Sequence, residues 1–207
     1  MANDLDLTTI FKAVTQQLSQ QKTELNEVDT YNHDHGDHMV QIFDLIQKSV
    51  AKKSKEPVNK QLEYASKVVE KEADSGSAKL YAQGLSSAAK NMAGETLNPN
   101  TIGTLVKSLL NVEEPEEKQA NGGLLGSLLS GLTGGGEKES ESQKVELDDL
   151  LRAGLAFVQS KQGGGSNTEA IINALIAASP LGESAHRSQS GSLVASTIMG
   201  FAQAFQK

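Results

Sequence analysis

Apolar residues return every three or four positions through one segment after another of this chain, and a short polar, glycine- or proline-bearing break cuts each run. Leu7, Ile10, Phe11, Val14 and Leu18 make the first run, and Met39, Ile42, Phe43, Ile46 and Val50 the second. Leu62, Ala65, Val68 and Val69 form a third, entered through Pro57. Leu80, Tyr81, Leu85, Ala88, Ala89 and Met92 follow a break at Asp74, Ser75 and Gly76, and Ile102, Leu105, Val106, Leu109 and Leu110 follow Asn98-Pro99. A period of 3.6 residues places each set on one stripe of a helix, and such a stripe is stable only against another apolar surface. The pattern predicts amphipathic helices, capped at Asp4 or Asn3 for the first and at Asn98 for the fifth, with Pro57 in the first turn of the third.

Three more runs carry the same period: Val145, Leu147, Leu150, Leu151, Leu155 and Val158; Ile171, Ile172, Leu175 and Ile176; and Leu193, Val194, Ile198, Met199, Phe201 and Phe205. The expected fold is therefore all-α, a single domain of about eight antiparallel helices in a bundle or barrel. Only 4% of the 207 residues are aromatic and none is tryptophan, which favours helix over strand. Residues 111–144 break the pattern: charged stretches flank NGGLLGSLLSGLTGGG, which reads as a flexible insertion.

Several function classes drop out. With no cysteine there is neither a disulfide framework nor a thiolate zinc site. The start MANDLDLTT lacks the basic and apolar regions of a leader, and no run approaches the roughly 18 apolar residues of a membrane span, so the expected setting is the cytoplasm, away from membranes. A net charge of -7 without a clustered basic surface argues against nucleic acid as a partner.

Chemistry-bearing residues gather at three places. DTYNHDHGDHMVQIF, residues 29–43, holds three of the four histidines and three aspartates just before the second run. Asp34 and Asp37, with Asn32, are hard oxygen donors suited to magnesium carrying phosphate. The histidines suit zinc, although spacings of two and three residues are not those of a helical zinc pair. The stretch also reads as a plain polar helix entrance, with aspartates at the positive end of the dipole. SGSAKLYAQGL starts a helix with Ser75, Gly76 and Ser77, where free N–H groups favour an anion. SPLGESAHRSQSGS brings the fourth histidine, His186, beside Arg187 and ahead of a second serine-glycine helix start at Ser190, Gly191 and Ser192. With every histidine beside such an entrance, the three places are expected to share one site.

These segments resemble the L-subunit, or phosphatase-like, domain of dihydroxyacetone kinases, a domain also found in fatty-acid kinases. NHDHGDHM, from Asn32 to Met39, is similar to that family's GDGDHGTNM; SGSAKLYAQGLSSAAK is similar to its GGxSGPLYG helix start; and ESAHRSQSGSLVAS is similar to its late GERSxGHxDPGAxS segment. The resemblance implies a barrel of eight amphipathic helices that binds adenine nucleotide, ATP or ADP, at one end through two magnesium ions held by three aspartates. In this chain those positions fall on Asn32, Asp34 and either Glu27 or Asp29, while His35 takes the place of the phosphate-contacting histidine. Ser75, Gly76, Ser77, His186 and Arg187 would line the nucleotide. The chain departs from the pattern where Asn32 stands for an aspartate, Asp37-His38 for Thr-Asn and Ser184 for an arginine. The implied activity is phosphoryl transfer, with the acceptor carried on a separate substrate-binding protein.

Overall fold

Asp6 begins the first helix by accepting hydrogen bonds from the Thr9 backbone N–H at 2.9 Å and the Thr9 hydroxyl at 2.6 Å. The cap thus lies closer to the apolar run than the expected Asn3 or Asp4, because the helix starts at Leu7, the first buried residue of its stripe. The computed structural model describes residues 6–111 and 167–204. Among them are seven α-helices: α1 (Leu7–Val28), α2 (His35–Lys52), α3 (Val58–Glu72), α4 (Gly76–Asn91), α5 (Pro99–Leu109), α6 (Asn167–Ala177) and α7 (Ala185–Ala204), with a 3-10 turn at Pro180–Glu183 before the last. No strand occurs among the described residues, and the fold is an all-α bundle. None of these helices is long and apolar enough to cross a membrane. The helix expected around Val145 to Val158, the insertion beyond Asn111, and Phe205 lie outside the described residues.

Each helix from α1 to α5 packs on the next, and α7 closes the circuit by lying against both α5 and α1, with α6 on its other side. The apolar stripes meet in one core that takes in every described run. Phe43 of α2 anchors it, 6.2 Å from the ring of Phe11 and edge-on to Tyr81 at 4.9 Å, so three helices share one aromatic cluster. Burying side chains of this size stabilises the fold by about 1.5–3 kcal/mol each. Polar ties set the spacing between neighbours: the Ser66 hydroxyl donates to the Ala82 carbonyl at 2.7 Å, and the Asn91 amide to the Ser108 hydroxyl at 3.1 Å.

Helix ends follow local chemistry. The Ser75 hydroxyl caps α4 through Ala78 N–H, and Asn98 Oδ1 caps α5 through Thr101 N–H. Pro57 is the residue before α3 and keeps extended backbone, one position outside the first turn expected of it. Asn111 ends α5 in the left-handed region (φ 54°) and donates its side-chain amide to the Leu80 carbonyl at 2.8 Å, so it belongs to the bundle rather than to the insertion. The expected helix start at Ser190-Gly191-Ser192 is corrected: these residues lie in the middle of α7, which begins at Ala185. Gly191 serves packing there, since a Cβ would meet Ile176 Cδ1 at 2.7 Å.

Candidate functional site

The antiparallel circuit puts the first turns of α2, α4 and α7 at the same end of the bundle. His35, the first residue of α2, and His186, the second of α7, meet with ring centroids 4.6 Å apart and planes tilted by 59°. Arg187 reaches from α7 to the start of α4, where its Nη2 lies 2.7 Å from the point a Cβ on Gly76 would occupy. Asp29, just past α1, lies 3.9 Å from His186 Nδ1. Of the residues expected to share one site, the fold therefore gathers Asp29, His35, His186, Arg187 and Gly76.

His35 is only 5% exposed, and its Nε2 lies 2.9 Å from the Ser190 hydroxyl. That hydroxyl also donates to the Arg187 carbonyl at 3.1 Å. Both bonds hold together when His35 is the neutral tautomer with its proton on Nε2. Burial, reinforced by the charges of His186 and Arg187 against the pull of Asp29, pushes the His35 imidazole down to about 4. The more open of the two histidines is His186, whose side chain is 24% exposed, with the Ser184 hydroxyl 3.4 Å from its Nε2. Arg187 Nε is shielded from solvent and has no hydrogen-bond partner among the described residues. Ser75 is half-buried as the α4 cap, Gly76 is exposed, and Ser77 is buried.

The acidic stretch is arranged differently. Asp29 is 2% exposed and accepts from Tyr31 N–H at 3.1 Å. Burial alone would raise its carboxyl, but the N–H groups of Tyr31 and Asp34, the charge of His186 and the N–H of His35 together hold it below the ordinary carboxylate range. Asp34 occupies the cap position of α2 without making a side-chain cap bond. Its Oδ1 is shielded and unpartnered in hydrogen-bond geometry, 3.2 Å from His38 Nδ1. Glu27 and Asn32 are exposed.

A residue that sequence reasoning did not single out caps α2 instead. Asn26, on the last turn of α1, accepts through Oδ1 from Gly36 N–H at 2.6 Å and Asp37 N–H at 3.3 Å, and donates through Nδ2 to Asp37 at 2.8 Å. Lys22 completes the contact with a 2.8 Å ion pair to the other oxygen of Asp37. The hydrogen bonds from Lys22 and then Asn26 hold the Asp37 carboxyl below its ordinary range. Gly36 is needed for the approach: a Cβ there would lie 2.2 Å from the Lys22 carbonyl oxygen. One asparagine in an otherwise ordinary helix gives no sequence signal for such a role.

Magnesium, which the family resemblance implies, needs oxygen lone pairs facing one point. Asp34 Oδ1 is the one shielded, unsatisfied oxygen in the stretch. Asp29 instead faces N–H donors, and Asp37 faces an ammonium and an amide. Among the described residues no three histidine, aspartate or glutamate side chains come together as metal ligands. The donor set as arranged does not fit a two-cation site. No family model, no curated protein and no solved structure matches this chain.

Proposed function

We propose that this chain binds the phosphates of an adenine nucleotide at the bundle end where α2, α4 and α7 begin. One observation carries the reading: Arg187 crosses from α7 onto the first residue of α4, adding a guanidinium to a helix N-terminus beside the His35–His186 pair. Helix N-termini favour anions, and a planar guanidinium is the side chain best matched to phosphate oxygens. His186, the more exposed histidine, is the one placed to reach a ligand, while His35 holds its orientation from beneath. The resemblance to the dihydroxyacetone kinase L-subunit domain extends the proposal to phosphoryl transfer, with the acceptor on a separate protein.

A second reading, a helical interaction module without a nucleotide, is favoured by the capping of the α2 entrance from within the protein. Calorimetry with ADP separates the two. A dissociation constant in the micromolar range, weakened about tenfold or more in Arg187→Ala, supports the phosphate site. No heat with ADP, ATP or inorganic phosphate replaces it with the interaction module.

A further inference from the structure

We infer that the aspartate- and histidine-rich stretch Asp29–His38 is a clasp that fastens α2 to α1, and not a divalent-cation site. The carboxylates of Asp29 and Asp37 are already committed to donors within the protein. A magnesium ion accepts only lone pairs, at about 2.0–2.1 Å and in near-octahedral array, so an N–H or an ammonium aimed at a carboxylate occupies the direction a cation would need. At Asp29 that direction belongs to the Tyr31 N–H, with the backbone of Asp34 and His35 also turned toward the carboxylate. At Asp37 one oxygen holds Lys22 and the other holds Asn26. Glu27 and the amide residue Asn32 are exposed, leaving Asp34 as a single ligand.

The same contacts perform a definite mechanical task. The first N–H groups of α2 have no acceptor within the helix, and the Asp34 side chain makes no cap bond to them. Asn26 supplies the acceptor from α1, and its amide also fixes Asp37, whose charge Lys22 balances from one turn earlier. Asp29 closes the turn between the two helices from the buried side. His33, with φ 58°, takes the left-handed conformation that lets the chain reverse here. The charges of Asp29 and Asp37 are thus answered by the protein itself.

This inference is independent of the nucleotide proposal, and thermal unfolding of the full chain in magnesium chloride and in EDTA tests it. The expected result is one midpoint in both, lowered by about 3 °C or more in Asn26→Ala and unchanged in Asp34→Ala, since the distant asparagine, not the residue at the cap position, holds the helix. Asn26→Asp, which keeps the acceptor but loses the amide donor to Asp37, should fall between the wild type and the alanine variant. A midpoint that rises with magnesium, returns with EDTA and no longer responds in Asp34→Ala overturns the clasp in favour of a cation site. Calorimetry with ADP in EDTA adds a second arm. Equal affinity with and without magnesium supports the inference, and ADP binding that requires magnesium and Asp34 overturns it. If ADP fails to bind at all, the phosphate proposal falls and the magnesium response alone decides the clasp.

Discussion

At the entrance of α2 the free N–H groups meet acceptors carried in by α1, whereas at the entrance of α4 the cap is the helix's own Ser75 and the side chain crossing from elsewhere is the cation Arg187. Both helices begin with the same partial positive charge. One discharges it against Asn26 and the neighbouring aspartates; the other adds to it. Local sequence points to a ligand at both entrances, since the α2 entrance carries metal-ligand residue types and the α4 entrance the serines and glycine that favour an anion. The lesson is that side chains rich in potential ligands serve a ligand only when the surrounding fold leaves their lone pairs free.

Alanine at the two glycines gives the sharpest contrast between these entrances. In Gly36→Ala the new methyl meets backbone, the Lys22 carbonyl at 2.2 Å, so α1 and α2 must separate. The expected cost is about 3 kcal/mol, the upper end of overpacking, read from the urea midpoint at constant slope. A variant as stable as the wild type breaks the claim that this corner is rigidly fastened.

Acid should act on the buried histidine layer before it reaches the carboxylates of the clasp. His35 is buried with a folded value of about 4 against 6.5 in the open chain, facing His186, Asp29, Arg187 and His38. The unfolded state therefore binds the proton more readily. The stability that the neutral ring contributes is intact above pH 6.5 and is lost as the pH falls from 6.5 toward 4, by on the order of 1–3 kcal/mol. Asp29, whose carboxyl lies below its ordinary range, extends the loss in the same direction at still lower pH. His35→Gln should flatten the first part of the profile and leave the second. Unfolding midpoints measured at several pH values check both parts.

Gly76→Ala is expected to have the smallest effect on stability, within about 0.5 kcal/mol, because the added methyl meets only the far end of a flexible side chain, Arg187 Nη2 at 2.7 Å. Moving that guanidinium should nonetheless weaken ADP binding severalfold. A stable variant with unaltered affinity would separate Arg187 from the ligand and remove the functional half of the contrast.

Among the described residues, helices were legible where apolar residues repeated, because periodicity reports directly which face is withdrawn from water; Leu109 and Ile172 are buried as their spacing requires. The cap at Asn98 was legible because it lies three residues from the N–H it serves, whereas Asp6, equally near its partner Thr9, was passed over for Asn3 or Asp4. The same logic misplaced a helix start at Ser190, whose hydroxyl instead pairs with His35, 155 positions away. Asn26 escaped notice for a related reason, since its partners lie 10 and 11 positions on, across a turn. Sequence alone thus determined the all-α class, the order of the described helices and the set of residues able to carry chemistry, all of which depend on short-range spacing. Tertiary structure decided which of those residues meet and which are already satisfied: whether a carboxylate faces an N–H, an ammonium or open space depends on contacts between helices far apart in the chain, and local spacing does not encode them.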